Sequence, residues 1–255
     1  MKTIILAGGR GSRISEETDT RPKPMVTIGG RPLLWHIMSI YSRYGFHEFI
    51  VCLGYKGYVI KEYFANYLLH NSDVTMDLAT GDIKIHAAKT EPWKVTLVDT
   101  GAETMTGGRI RRAMPFVEND DAFFMTYGDG LGNINVAQLL EFHRNHGQLA
   151  TMTAVQPSPR FGSLELEGSL ITHFAEKAPA SAGWVNGGFF VLSPAVSTYL
   201  TDDSTIWERG PLENLAQEHE LMAYEHRGFW HPMDTLRDRD YLDELSGTAV
   251  PPWMA

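Results

Sequence analysis

The chain of 255 residues is 43% hydrophobic and 21% charged with a formal net charge of −9, the profile of an ordinary soluble globular chain and a poor match to a nucleic-acid binder. Its apolar runs, such as Ala122-Phe123-Phe124-Met125, are too short to span a bilayer, and residues 1–15 lack the ordered regions of a signal peptide. The lone Cys52, between Val51 and Leu53, reads as a buried thiol that makes no intramolecular disulfide and suits a reducing cytoplasm.

Ile4-Ile5-Leu6-Ala7 reads as a short buried strand. It empties into Gly8-Gly9-Arg10-Gly11-Ser12-Arg13, and Arg21-Pro22-Lys23-Pro24-Met25 follows. Glycines after a strand let backbone N–H groups approach a polyphosphate, while arginine and lysine supply the positive charge it requires. No Lys-Ser/Thr follows the glycines, as a Walker A loop demands. Ile14 stands where a dinucleotide fingerprint has its third glycine, and Pro22 and Pro24 forbid an immediate long helix. A glycine pair alone is as often an exposed turn. With a strand before it and Arg-Pro-Lys-Pro after it, this one reads as a nucleotide-handling loop.

Pro32 suits the first turn of a helix running to about Tyr44 and stopped by Gly45. Residues 49–53 form a second buried strand, residues 58–67 a helix with apolar residues at helical spacing, and residues 83–86 and 95–98 shorter strands. Thr106 can cap a short helix through Pro115, with Gly107 and Gly108 at its mouth. Residues 122–126 are a third buried strand, ending in Tyr127-Gly128-Asp129-Gly130. Beyond it come a helix over 136–146, a strand over 150–155, strands over 163–166, 170–174 and 189–192, and a helix over 211–220. Strand–helix alternation early and strand pairs late predict an α/β fold with a mixed sheet, parallel at its amino-terminal side. With no internal repeat, low-complexity tract or linker, residues 1–255 are expected to form one domain.

Asp129 lies between two glycines just past a strand, at the end where open α/β sheets place ligands. Such a carboxylate can reach a Mg²⁺ ion, which prefers oxygen ligands; an Asp-Gly turn is the plainer alternative. Asp234, in Phe229-Trp230-His231-Pro232-Met233-Asp234-Thr235, reads as a half-buried carboxylate needing a partner or a metal, or as the cap of a helix beginning near Leu236. Together the two can hold one Mg²⁺. The histidines are scattered without metal spacing, so no zinc site is expected. Lys177, after Glu176, can neutralise a substrate phosphate or be half of a solvated surface pair. Asn186 and Gly187 expose hydrogen-bonding groups to a polar ligand. Arg109 follows Thr106-Gly107-Gly108 at a helix amino terminus, a place that favours anions, though Arg111 and Arg112 beside it can be ordinary solvated charge.

In this order the segments resemble the sugar-nucleotide pyrophosphorylase superfamily, and within it the cytidylyltransferases that use glucose 1-phosphate. The resemblance is carried by Leu6-Ala7-Gly8-Gly9, Ser15-Glu16-Glu17-Thr18, Pro22-Lys23-Pro24-Met25, Leu34-Trp35-His36-Ile37-Met38 and the segment 54–64. It continues through Val98-Asp99-Thr100-Gly101, Met105-Thr106-Gly107-Gly108-Arg109, Tyr127-Gly128-Asp129-Gly130, Asn186-Gly187-Gly188-Phe189-Phe190 and Pro232-Met233-Asp234-Thr235-Leu236-Arg237-Asp238. It spans residues 1 to about 242.

The resemblance implies a Rossmann-like nucleotidyltransferase fold with a mixed, mostly parallel sheet flanked by helices. It also implies a Mg²⁺-dependent reaction in which CTP and α-D-glucose 1-phosphate give CDP-glucose and pyrophosphate. Arg13 and Lys23 would then hold the triphosphate, Lys177 the sugar phosphate, and Asp129 and Asp234 the Mg²⁺, with Arg13, Lys23, Asp129 and Lys177 the catalytic set. Leu6, Ala7, Gly8, Gly9, Gly11, Ser12, Thr106 and Arg109 would line the nucleotide. Tyr127, Gly128, Glu176, Asn186 and Gly187 would line the sugar phosphate. Relatives are usually homo-oligomers, and Val250-Pro251-Pro252-Trp253 offers a tail that can pack on a neighbour. Ser12 stands for the usual threonine, and residues 178–184 match no family motif. The alternatives are a relative using another base or sugar, a non-catalytic sugar-nucleotide binder, and a metal-dependent hydrolase.

Overall fold

Apolar residues follow one another in the longer strands instead of alternating, which is the pattern of strands covered on both faces. The computed structural model describes residues 1–11, 14–157, 163–167, 170–175 and 183–255. In chain order it holds β1 (Lys2–Leu6), α1 (Ser15–Thr18), β2 (Thr27–Ile28), β3 (Arg31–Pro32), α2 (Leu33–Ser42), β4 (Glu48–Leu53), α3 (Gly57–Ala65) and α4 (Tyr67–His70). Then come β5 (Ser72–Met76), β6 (Ile83–Ala88), β7 (Lys94–Asp99), α5 (Thr106–Ala113), β8 (Phe123–Tyr127), β9 (Gly130–Gly132), α6 (Val136–His146) and β10 (Ala150–Val155). The last are β11 (Ser163–Glu167), β12 (Leu170–Ala175), β13 (Val185–Leu192), α7 (Pro211–Gln217), β14 (Leu221–His226), β15 (Trp230–Pro232) and α8 (Leu236–Ser246).

Among the described residues, seven strands form the central sheet in the order β14-β10-β13-β8-β1-β4-β7. β1 pairs in parallel with β4 and β8, β4 with β7, and β10 with β14, whereas β13 runs against β8 and β10. The sheet is therefore mixed and mostly parallel, as expected. Ile5, Val51 and Phe124 face one side, against Leu34, Ile37 and Tyr41 of α2 and Leu139 of α6. Ile4, Ile50 and Phe123 face the other, against Ile110 of α5 and Leu212 and Leu215 of α7. Helices cover both faces, which leaves only the strand ends open to a ligand. No helix among the described residues is long and apolar enough to cross a membrane.

The helix expected over 136–146 is found there, because Asn135 accepts a hydrogen bond from the Gln138 N–H and Gly147 closes the far end at φ 76°. Other boundaries move. Pro32 is the cap of α2, not part of its first turn. The helix expected over 58–67 is two helices broken at Asn66, and within α3 only Ile60 is buried. Strands β2, β3, β5, β9, β14 and β15 were not legible, since they are short or half exposed. Within the tail Val250–Trp253, Val250 is exposed and Trp253 packs on its own chain. Trp253 is 1% exposed and donates its indole N–H to His36 Nδ1 at 3.3 Å, because burying the indole on α2 also satisfies its one polar atom.

Candidate active site

The parallel strands β1, β4, β7 and β8 end at one edge of the sheet, followed there by Ala7-Gly8, Gly54, Thr100 and Gly128. Arg109, from α5 and 4% exposed, reaches three of those ends. Its Nη1 donates to Leu53 O (3.1 Å), Thr100 Oγ1 (2.7 Å) and Gly101 O (2.8 Å), and its Nη2 to Gly8 O (3.0 Å) and Ala102 O (3.4 Å). A Cβ at Gly8 would stand 2.1 Å from Nη1 and one at Gly54 2.4 Å from it, so both positions are glycine because the guanidinium passes over them. Arg109 also lines a cavity, but these donors are spent on tying loops together.

The amino terminus of α5 differs from expectation. The Gly107 and Gly108 N–H groups donate to Thr205 O at 2.9 and 3.2 Å, and the Arg109 N–H to Met105 O at 2.9 Å. Those donors are thus taken by protein carbonyls, which removes the helix-terminus argument for an anion here. Met105 is the cap residue. Thr106 is the first helical residue, and its hydroxyl accepts from the Trp207 N–H (2.9 Å) and donates to Glu208 Oε2 (2.6 Å).

Leu6, Ala7, Gly8, Gly9, Gly11, Lys23, Thr106, Arg109, Tyr127, Gly128 and Asp129 line one cavity of about 320 Å³. Tyr127 and Asp129 also line a second cavity of about 200 Å³, with Asn186, Gly187 and Asp234. The two spaces therefore meet at the end of β8. Pro24, Thr104 and Met105 in the first and Trp230 in the second escaped sequence reasoning. The first three adjoin expected residues and were within reach of it, whereas Trp230 arrives only through tertiary pairing. Its indole N–H donates to Gly187 O at 2.8 Å. Ser12, Arg13, Glu176, Lys177 and residues 178–182 lie outside the described residues.

At the junction, Lys23 Nζ donates to Asp129 Oδ2 and Asp234 Oδ1, each at 2.8 Å. Burial alone would lower the lysine pKa, but the charge and hydrogen bond of Asp129, then those of Asp234, outweigh it and raise the pKa above its ordinary value. Asp234 is brought there by a short strand pair. β15 runs antiparallel to β9, and the Met233 N–H donates to Asp129 O at 2.8 Å. The helix cap that the sequence offered to Asp234 falls to Thr235, whose side chain accepts from the Asp238 N–H in a capping box. His231 Nε2 contacts Asp238 Oδ1 at 3.0 Å and so belongs to that cap.

Two carboxylates on one ammonium at equal distance converge on one point. An all-oxygen pair without histidine or thiolate fits a hard cation such as Mg²⁺. Among the described residues no three Asp, Glu, His or Cys groups gather as a cage. An ion held there would complete its coordination with substrate oxygens and water, the usual habit of Mg²⁺.

The nucleotidyl transferase family model matches residues 2–231. The chain belongs to that family. It is 53% identical over 253 residues to a glucose-1-phosphate cytidylyltransferase of Salmonella typhi, covering 99% of this chain and 98% of that one. The enzyme of the same name from Salmonella typhimurium is also 53% identical, with the same coverage. Among solved structures, HddC from Yersinia pseudotuberculosis superposes with a TM-score of 0.69 over 95% of this chain and 98% of its own, at 22% identity. That last likeness shows a shared fold.

Proposed function

We propose that this family member transfers the cytidylyl group of CTP to α-D-glucose 1-phosphate, giving CDP-glucose and pyrophosphate. The observation that carries the reading is 53% identity, over nearly the whole of both chains, to enzymes named for that reaction. The two cavities meeting at Tyr127 and Asp129 support it, since the reaction must bring two phosphorylated substrates together end to end.

In this reading the larger cavity takes the nucleotide, over the glycine loop Gly8–Gly11 and beneath Thr106 and Arg109. The smaller takes the sugar phosphate, against Tyr127, Asn186 and Gly187, while Gly128, expected on the sugar side, lines the larger cavity instead. By family resemblance Arg13 and Ser12 are assigned to the nucleotide, and Glu176 and Lys177 to the sugar phosphate. Lys23 carries its charge to the triphosphate, and Asp129 and Asp234 hold Mg²⁺, the divalent metal we assign here. When bound, Mg²⁺ supplies positive charge to the phosphate oxygens of the nucleotide. A phosphate oxygen of the sugar attacks the α-phosphorus in line, a new P–O bond forms, and the bond to the β-phosphate breaks to release pyrophosphate. The attacking oxygen is already anionic at neutral pH, so the chain needs no general base. Its own contribution is positioning and charge.

The chain is taken to act as one domain in the cytoplasm, where the single thiol of Cys52, buried and pushed up to about 12 by that burial, remains reduced and inert. The homo-oligomer expected of the family is supported by exposed Met76, Leu78, Ile83 and Ile85 on the β5–β6 hairpin. The test is pyrophosphate release with Mg²⁺ and glucose 1-phosphate, comparing CTP, UTP, dTTP, ATP and GTP, then mannose 1-phosphate in place of the glucose ester. Release with CTP and glucose 1-phosphate is expected. Faster release with another pair would overturn the base or sugar assignment.

A further inference from the structure

The wall of the nucleotide-side cavity around Thr106 is held from a distant part of the chain. The segment 203–208, between β13 and α7, runs alongside the start of α5. Asp203 O accepts from the Met105 N–H at 2.8 Å, and Thr205 O accepts from Gly107 and Gly108 at 2.9 and 3.2 Å. The Trp207 N–H donates to Thr106 Oγ1 at 2.9 Å, and Thr106 Oγ1 in turn donates to Glu208 Oε2 at 2.6 Å. The same carboxylate faces the Tyr127 phenol, whose oxygen accepts from Asn186 Nδ2 at 3.3 Å. Asn186 Oδ1 is itself fixed by the Gly188 N–H at 2.8 Å.

These contacts form a line. It runs from Asn186 in the smaller cavity, through Tyr127 at the junction, to Glu208 and Thr106 in the larger one. A carboxylate is acceptor-only when ionised. At Glu208 it therefore directs the Thr106 proton to itself and away from the cavity. The hydroxyl oxygen is left to the Trp207 N–H, and the orientation of the wall is fixed from outside.

We propose that Glu208 is a positioning residue of the transfer reaction, setting Thr106 on the nucleotide side against Tyr127 on the sugar side. The inference rests on the family reaction proposed above. It does not depend on which base or sugar is used, because it concerns how the walls of the two cavities are held relative to each other. Glu208 lines neither cavity. It acts on their relative placement, and a displacement of about 1 Å at the reacting atoms costs on the order of a hundredfold in rate.

The experiment compares wild type, Glu208→Gln, Thr106→Val and the double variant, on whichever triphosphate and sugar phosphate the wild type uses fastest. A wrong base assignment then shows in the wild type, and a wrong role for Glu208 shows in the variants. The amide of Glu208→Gln keeps the volume but can turn a donor toward Thr106. The expected result is a fall in kcat of roughly ten- to a hundredfold with KM for the triphosphate within about threefold. Thermal midpoints should stay within about 3 °C of the wild type. The double variant should be slower than either single one but by less than the product of their losses, since the two changes share the Thr106–Glu208 bond while each also removes a contact of its own, with Trp207 for Thr106 and with Tyr127 for Glu208. Turnover of Glu208→Gln within about twofold of the wild type would overturn the proposal. So would rate losses that simply multiply in the double variant.

Discussion

Replacing Arg109 by Met keeps most of the buried volume and removes the guanidinium that joins the ends of β1, β4 and β7. Two of the lost bonds go to carbonyls of the buried residues Gly8 and Leu53. Those carbonyls keep other donors, Tyr55 N–H at 3.0 Å on Gly8 O and Thr100 N–H at 2.9 Å on Leu53 O, so neither is orphaned. The bonds to Gly101 O and Ala102 O lie nearer solvent, where water can replace the donor. A third buried bond, to Thr100 Oγ1, is lost as well, and counting the three buried, charge-assisted bonds at about 1.5 kcal/mol each gives a destabilisation of about 4.5 kcal/mol.

The assay is urea unfolding of the ligand-free protein, followed by circular dichroism, which separates this role from any contact with a nucleotide. Gly8→Ala supplies the control. The three atoms nearest its Cβ all belong to Arg109, with Nη1 at 2.1 Å and Cζ at 2.4 Å, so it should cost a similar amount by expelling the same group. In the Arg109→Met background, whose side chain ends short of the guanidinium, Gly8→Ala should cost little more. A loss under about 0.5 kcal/mol for Arg109→Met, or additive losses in the pair, would refute the tie.

Lys23→Met should lower kcat by on the order of a hundredfold or more while the fold, followed by circular dichroism, stays intact; near-normal turnover would remove Lys23 from the chemistry. Asp129→Asn should weaken the Mg²⁺ dependence and the rate together, read as a higher half-saturating Mg²⁺ concentration in the pyrophosphate assay, and an unchanged titration would count against the carboxylate pair. Acid stability should depend on His143, which is buried beside Thr151 Oγ1 at 2.9 Å. Burial, then His146 and Arg144, push its pKa down to about 4. The unfolded chain takes up this proton near the ordinary value of 6.5, so the contribution is full above that pH and is lost as pH falls toward 4, about 3 kcal/mol in all. His143→Gln should flatten the fall of urea stability across that window, and equal slopes would refute the assignment.

Strands β1, β4 and β8 and helix α6 were legible because each carries its own signal: a run of apolar residues for two-sided burial, or a capped amphipathic stretch. The order of glycine loop, Pro-Lys-Pro and Gly-Asp was equally plain, because backbone approach to phosphates constrains residues close together in sequence. β9 and β15, three residues each, carry no period to read. They exist because they pair, and their pairing draws Asp234 to Asp129 and Lys23.

What the amino-acid sequence determined by itself was the class of fold, the family, and the types of residue gathered at the ends of the parallel strands. Those follow from local sterics, periodicity and charge. Tertiary structure decided which partner each polar group takes. Thr106 looked like a cap and Arg109 like an anion binder, and both readings were sound for an isolated helix end. Segment 203–208 occupies that helix end, and the three strand ends claim the guanidinium. A buried donor takes whichever acceptor folding brings within reach, and that choice is made by residues far away along the chain.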